Sequence, residues 1–350
     1  MSNYQLYILL TSVGNLASPT VQEYLRREFK RIKIIGTDIR IDAHGLYFCD
    51  KGYLVPRLEN SSFLNSIINI IKSESINCIF PLSTSDQNWF SERKEFFEKE
   101  LNVKVVCSSK QWVTIANDKL FLYDTLSHSL RTNCVNYFPI SVKDIEVIKN
   151  FPIPFVLKKR KSTGGAGTYI VATSSNELCD QDKKFFLYLS ELEQNFSKYV
   201  TEDTIICEYL PGEEYSVDVL SQSGKILYGI VRKRYTTLGG MTIYGEVVDE
   251  KEIMKVAEEV LKIIKLDYIN NIQIRRSNKG VPKIMEINPR IPGTIKLSIE
   301  ASGNMIADAI KLALGMEIQI PKKILYGTAI FRYWDGKVVR PIEKEKIQKA

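Results

Sequence analysis

The sequence predicts an α/β region followed by an α+β region, and three observations predict it. Up to about residue 111, short apolar runs alternate with stretches of helical period. From about residue 112 the segments are mostly strand-like and read as antiparallel. Late in the chain, KIMEINPRIPG (283–293) places Glu286, Asn288 and Arg290 at every second position, so a strand there would carry all three on one face.

The elements follow in order. YQLYILLTSV (4–13) is a buried-strand run, and SPTVQEYLRREF (18–29) opens with a Ser-Pro helix start and carries an apolar stripe. KIIGTDI (33–39) is a strand, SFLNSIINIIKSE (62–74) a helix, NCIFPLS (77–83) a strand, QNWFSERKEFFEKE (87–100) a helix and NVKVVCS (102–108) a strand. Such alternation signals a parallel open sheet, a Rossmann-like half. After the first strand stands TSVGNLASP with the single glycine Gly14, so the GxGxxG fingerprint of NAD or FAD binding is missing.

The second region opens on the helical stretch SKQWVTIANDKLFLYDTLSHS (109–129), with Asn117 or Asp118 near a helix start. IPFVLKKR (153–160) and GTYIVAT (167–173) are strands flanking a glycine-rich turn, and CDQDKKFFLYLSELEQNFSKY (179–199) reads as one long amphipathic helix. TIICEYL, EYSVDVLS, GKILYGIVRKRY, YINNIQIRR and VPKIMEIN read as strands, with the helix EIMKVAEEVLKII among them. SIEASGNMIADAIKLALG (298–315) is a helix pair, and YGTAIFRYWDGKVVRP (326–341) reads as a closing hairpin with an Asp-Gly turn.

Composition narrows the function. A net charge of +7, from 48 basic and 41 acidic residues, is spread along the chain without a long basic run, which speaks against nucleic acid and suits a small anionic ligand. The six cysteines form no CxxC pair and several lie in apolar runs, so they read as buried thiols of a reducing compartment. Two histidines, His44 and His128, without ligand-like neighbours, disfavour a His-based metal site or a Ser/His/Asp triad. With neither a signal peptide nor a membrane-length apolar run, a cytoplasmic protein is expected.

Three stretches carry chemistry. In VLKKRKSTGGAGTYIV, Lys158, Lys159, Arg160 and Lys161 lead through Ser162 and Thr163 to Gly164, Gly165 and Gly167. Glycines let main-chain N–H groups approach an anion, and lysines add point charge for phosphates. A flexible hairpin tip with solvated lysines fits the same residues. In IICEYLPGEEYSVDVL a strand meets a Pro-Gly turn before Glu213 and Glu214. Hinge backbone there can read a base edge and a carboxylate can accept ribose hydroxyls, although an ordinary acidic hairpin would look alike. In YINNIQIRRSNKGVPKIMEINPR, a hairpin would set Gln273 opposite Glu286 and Asn288, an oxygen-donor set suited to Mg²⁺ shared with phosphates. A solvent-facing polar strand is the alternative.

Taken in this order and spacing, NDK, PFVLKKRKSTGGAG, EYLPGEEYSVDVL, IQI and MEINPR resemble the ATP-grasp superfamily, in its carbamoyl-phosphate-synthase-like and amino-acid ligase branch. The resemblance covers residues 112–335 and implies a two-lobed domain: an N-lobe over 112–209 with the glycine loop, and a C-lobe over 210–335 with the metal site. Residues 1–111 then resemble the preceding Rossmann-like pre-ATP-grasp domain, and 336–350 form a C-terminal tail.

The resemblance also implies roles. Lys119 and Lys158 contact ATP phosphates, Gly164, Gly165 and Gly167 close over them, Glu208, Tyr209 and Leu210 form the adenine hinge, and Glu214 takes the ribose. Gln273, Glu286 and Asn288 hold one or two Mg²⁺, with Mn²⁺ able to substitute. Arg290 steadies the transferred phosphoryl group or the carboxylate, and Arg232 and Arg234 lie near the acyl phosphate. Two departures stand out: Lys159 where relatives commonly carry Pro, and Gln273 where a carboxylate is common.

The activity so implied is an ADP-forming ligase joining a small carboxylate, an amino acid being expected, to an amine through an acyl phosphate. The competing expectations are a carboxylase or carbamoyl-phosphate-type enzyme and a non-catalytic nucleotide-binding protein on the same fold. The implied partners are small molecules, without nucleic acid or membrane, and a homodimer is compatible. RYTTLGGMTIYGE (234–246) is a candidate substrate-side loop or a plain β-hairpin.

Overall fold

The computed structural model describes residues 5–141, 144–162, 164–333 and 335–350. Its first region alternates as the sequence predicts: β1 (Leu6–Thr11), α1 (Ser18–Glu28), β2 (Ile32–Asp38), β3 (Lys51–Leu54), α2 (Phe63–Glu74), β4 (Cys78–Pro81), α3 (Thr84–Lys99) and β5 (Lys104–Val105). These strands pair in parallel in the order β3-β2-β1-β4-β5. Apolar residues on both faces explain this: Ile8 and Leu10 of β1 face one core, Leu9 the other. β3 was not legible, because KGYL is four residues long and neither alternates nor runs apolar.

The N-lobe comprises α4 (Lys110–Asn117), α5 (Lys119–Ser127), β6 (Tyr137–Ile140), α6 (Ile145–Asn150), β7 (Phe155–Lys159), β8 (Tyr169–Ala172), β9 (Phe186–Tyr188), α7 (Leu189–Gln194), α8 (Phe196–Tyr199) and β10 (Thr204–Glu208). Its sheet runs β6-β10-β7-β8-β9. Asp118 caps α5, its side chain accepting from the amides of Leu120 and Phe121. The single helix expected over 179–199 is not there. A 3-10 segment (Asp180–Phe185) leads into β9, which pairs in parallel with β8, and two short helices follow. Aromatic side chains suit the pleated edge, and Leu187, Leu192 and Phe196 face one small core, so pairing with β8 overrides helical period.

The C-lobe comprises β11 (Glu214–Gln222), β12 (Lys225–Leu238), β13 (Met241–Val247), α9 (Lys251–Ile263), β14 (Tyr268–Arg276), β15 (Pro282–Asn288), α10 (Ile295–Ala301), α11 (Met305–Ala313) and β16 (Ala329–Phe331). The sheet is antiparallel, in the order β15-β14-β11-β12-β13-β16. α9 packs its apolar face on this sheet with α5. Ile295 and Ile306 of α10 and α11 share a core with Val21 and Leu25 of α1, so the first region is bonded to the C-lobe by apolar packing.

Two further expectations change. The 326–341 stretch forms no hairpin among the described residues; β16 instead adds antiparallel to β13, and residues 335–340 take no regular structure. Trp334, within that stretch, lies outside the described residues. The end of the chain is more than a tail: after α12 (Pro341–Lys344), β17 (Ile347–Lys349) pairs in parallel with β3 and extends the first sheet. Lys346 Nζ donates to the carbonyls of Tyr47 and Cys49, which fixes the return.

Candidate active site

Strand β15 does not alternate simply. Gln273 pairs with Glu286, while Ile274 pairs with Ile284, which leaves Met285 as a bulge. The extra residue resets the faces, so Ile284 and Ile287 both enter the core and Glu286 and Asn288 both face outward. Simple alternation would put Ile284 beside Glu286; the bulge corrects that. It also frees the Met285 carbonyl from the ladder, and that carbonyl accepts from Tyr123 Oη at 2.5 Å.

The outward face borders a cleft of about 370 Å³ between the lobes. Of the fifteen residues expected at a site, fourteen line it: Lys119, Lys158, Gly164, Gly165, Glu208, Tyr209, Leu210, Glu214, Arg232, Arg234, Gln273, Glu286, Asn288 and Arg290. Gly167 does not; a Cβ added there would stand 3.2 Å from the Lys159 side chain. Thr163 is outside the described residues.

One end of the cleft is cationic. Lys158 on β7 is buried, and its Nζ donates to Tyr123 Oη at 2.7 Å. An ammonium has three donors, and Cys207 beside it is a weak acceptor, so Lys158 keeps donor capacity for a cleft ligand. Burial pushes its pKa below the ordinary lysine value, and nearby Lys119 adds to the shift. Lys119 follows the Asp118 cap, which is also gripped by Arg160 at 3.1 and 2.8 Å. Its Nζ donates to the Ser162 carbonyl at 3.0 Å and lies 3.4 Å from Glu286 Oε2. The NDK run thus uses Asp118 for architecture and projects Lys119 into the cleft.

Glu286 feels two opposed effects. Burial raises its pKa, but Lys119, the Asn288 amide at 3.1 Å and Lys158 outweigh burial and hold it below the ordinary value. Arg290 is half-buried; Nε donates to Thr84 Oγ1 at 2.9 Å and Nη2 to Asn288 Oδ1 at 3.3 Å. Thr84 opens α3, so the first region positions this arginine.

Gln273, Glu286 and Asn288 share one face and offer oxygen donors, of which only one is anionic. That set fits a hard cation that brings phosphate and water ligands of its own better than one needing a full protein cage. Asn271, opposite Asn288 and also lining the cleft, is a further oxygen, but its amide donates to Asp218 Oδ1 at 2.7 Å.

Arg232 and Arg234 differ sharply. Arg232 is 2% exposed and binds Asp218 through Nε at 2.7 Å and Nη2 at 2.8 Å. Asp218 also accepts from Ser298 Oγ at 2.6 Å, and Arg232 Nη1 is left buried without a partner. Each nitrogen of Arg234 has one acceptor: Nε has Thr242 Oγ1, Nη1 has Glu214 and Nη2 has the Gly240 carbonyl.

Val135, Val156, Ile170, Leu210 and Met285 give the rest of the cleft an apolar wall. The Glu208 carboxylate is held by the chain itself, accepting from the Asn136 backbone amide at 2.8 Å and from Lys283 at 3.1 Å. Tyr209 Oη donates to Asp182 Oδ2 at 2.8 Å, and Arg275 on β14 clamps Asp182 at 3.1 and 2.6 Å, linking the lobes.

Sequence reasoning missed Tyr123, Thr84, Asn271 and the Asp182–Arg275 pair. Tyr123 lies one helical turn after Lys119 in the same helix, at the spacing that puts two side chains on one face, and that signal could have found it. The Asp182–Arg275 partners are 93 residues apart and left none.

The family model described as ATP-grasp in the biosynthetic pathway with Ter operon matches residues 200–331, and the one described as PylC-like, N-terminal domain matches residues 8–106. No curated protein sequence matches the chain significantly. Among solved structures, N5-carboxyaminoimidazole synthetase from Staphylococcus aureus complexed with ADP superposes with a TM-score of 0.69 at 14% identity, covering 93% of this chain and 82% of that one. The biotin carboxylase domain of the Hydrogenobacter thermophilus 2-oxoglutarate carboxylase, in complex with MgADP and bicarbonate, gives 0.68 at 14%, covering 93% and 74%. The L-amino acid ligase from Bacillus licheniformis gives 0.65 at 14%, covering 89% and 75%. At that identity the likeness establishes the fold. Residues 200–331 match an ATP-grasp family model and residues 8–106 a PylC-like N-terminal one, and the likeness to solved structures gives this chain the two-lobed ATP-grasp fold.

Proposed function

We propose that the protein is an ATP-dependent, ADP-forming carboxylate–amine ligase acting on a small metabolite, an amino acid being the favoured carboxylate. The observation that carries this reading is the convergence of Lys119, Lys158 and Arg290 on Glu286 and Asn288 at one end of a cleft whose other end is apolar. The base rests among Val156, Ile170 and Met285 against hinge residues 208–210, and Glu214 faces the ribose. Lys119 and Lys158 hold the phosphates. Gln273, Glu286 and Asn288 would hold a Mg²⁺ ion, which would supply neutralisation of phosphate charge.

A carboxylate oxygen then bonds to the γ-phosphorus while the bond to the bridging oxygen breaks, releasing ADP. The amine nitrogen attacks the acyl carbon, its carbon–oxygen bond to phosphate breaks, and inorganic phosphate and a proton leave. Positioning and charge do this work, and no protein nucleophile is called on. The loop at Gly164 and Gly165 excludes water from the acyl phosphate.

A second reading, bicarbonate in place of the organic carboxylate, has support from two of the three structural likenesses, a biotin carboxylase domain with bicarbonate and an N5-carboxyaminoimidazole synthetase. A screen of carboxylate and amine pairs for ATP-dependent phosphate release separates the two. Turnover that needs an organic carboxylate and an amine supports the ligase, and turnover that needs bicarbonate replaces it with the carboxylase. Tight Mg·ATP binding without ADP formation from any pair would reduce the protein to a nucleotide-binding one.

A further inference from the structure

Tyr123 is a fully buried residue of the N-lobe helix α5. It packs in the same apolar core as Ile272, Ile284 and Ile287 of the C-lobe sheet. Its ring lies 5.2 Å from that of Tyr137, tilted by 48°. Lys158 and Met285 line the cleft, whereas Tyr123 lies behind them. It therefore reaches a cleft ligand only through other residues.

The hydroxyl makes two hydrogen bonds whose directions are forced. The Met285 carbonyl can only accept, so Tyr123 Oη donates its single proton there, at 2.5 Å. Only oxygen lone pairs then face Lys158, whose Nζ donates to them at 2.7 Å. Burial pushes the phenol well above the ordinary tyrosine value, which keeps that proton in place. The ammonium also stands 5.2 Å from the centre of the same ring. An ammonium carries three N–H donors at fixed angles, so pinning one of them restricts the directions open to the other two.

The same hydroxyl is anchored beside the polar strand. Met285 is the bulged residue of β15, and Glu286 follows it directly. Lys119 stands four residues before Tyr123 in α5, and its Nζ lies 3.4 Å from Glu286 Oε2. Two positions one turn apart on one helix thus meet two successive residues of β15. Through Tyr123, Lys158 of one lobe is tied to the strand of the other lobe that carries Glu286.

We infer that Tyr123 is a positioning residue for phosphate binding, its hydroxyl aiming the Lys158 ammonium and holding it at a fixed distance from the strand of Glu286. The inference rests on the nucleotide reading of the cleft, in which Lys158 holds the phosphates. Phenylalanine at this position keeps the ring and its packing. It leaves Lys158 without this acceptor and the Met285 carbonyl without its donor. Ordering the released lysine would then consume part of the binding free energy.

The test uses the full chain, with Mg·ADP and adenosine as probes. Tyr123→Phe should weaken Mg·ADP about tenfold by calorimetry, the scale of one hydrogen bond to a charged group. Adenosine carries no phosphate, and its affinity in a ligand-observed NMR titration should stay within about twofold of wild type, as expected of a site independent of Lys158. In the Lys158→Met background the same substitution should cost Mg·ADP nothing further, because the group it aims is gone. A second readout keeps the hydroxyl: meta-fluorotyrosine incorporated at position 123 should show a fluorine resonance that moves with Mg·ADP and not with adenosine. A merely structural role would weaken both probes alike. Unchanged Mg·ADP affinity in Tyr123→Phe, equal losses for the two probes, or losses that multiply in the Lys158→Met background overturn the positioning role and leave the nucleotide reading standing. Absence of Mg·ADP binding in the wild-type protein overturns both.

Discussion

The polar edge of the first sheet and the cleft between the two lobes both gather polar side chains and leave them in different states. At the ends of β1, β2 and β4, Asp38 accepts from the amides of Gly14 at 2.7 Å and Arg40 at 3.2 Å, and Asp86 accepts from Thr11 Oγ1 at 2.7 Å. These carboxylates are engaged by the chain's own donors. In the cleft, Lys158 keeps unspent donors and Arg232 Nη1 is buried without a partner. A polar group whose bonding capacity the fold fills is architecture, and one whose capacity stays open is positioned for a ligand.

The sharpest way to break this contrast is Lys158→Met. It should lower ADP formation by about 10³-fold, the upper range for one preorganised donor, while the melting temperature holds or rises because a buried charge is gone. Glu286→Ala should cost a similar factor, about 10³-fold, with the fold intact by circular dichroism. A variant of either residue with full turnover would move the site elsewhere. Arg290→Ala comes next: about a 10²-fold loss of turnover number with Mg·ADP affinity nearly unchanged, measured by steady-state kinetics beside calorimetry. Equal losses in both would make Arg290 a binding residue only. On the first sheet, Asp86→Asn should leave ADP formation within about twofold, since that carboxylate touches no proposed ligand.

The smallest effect sharpens the comparison through pH. Burial raises the pKa of Asp86, despite bonds from Ser12, Thr11 and Ser83. A raised folded-state pKa stabilises below the ordinary aspartate value and loses that contribution as pH rises. Glu286 is lowered, so its contribution is present above the ordinary glutamate value and fades as pH falls. Melting temperatures of Asp86→Asn and Glu286→Gln relative to wild type should therefore slope in opposite directions between acid and neutral pH. Parallel slopes would mean that the two edges are electrostatically alike.

Much of the site was legible because its residues are local in sequence. The glycines after Lys158, the pair Glu213 and Glu214 after a Pro-Gly turn, and the polar run ending at Arg290 each announce themselves within a dozen residues. The illegible parts are contacts between distant segments. Nothing near Arg290 points to Thr84, 206 residues earlier, and nothing near Arg234 shows that Gly240 and Glu214 would occupy it. The helix expected over 179–199 failed for the same reason, since β8 supplies the pairing that turns Phe186–Tyr188 into a strand.

By itself, then, the sequence determined the two-part architecture and the chemical character of the cleft. Period, turn residues and charge are properties of neighbours along the chain, and they act before any long-range contact forms. Tertiary structure decided which polar groups remain available. The Met285 bulge sets which side chains leave the core, and the Asp218 network holds Arg232 with one nitrogen unpaired. Contacts across the cleft turn Arg234 from a free cation into a brace between Glu214 and Gly240. Bonding capacity depends on every group that reaches a side chain in space, and only the folded chain brings those groups together.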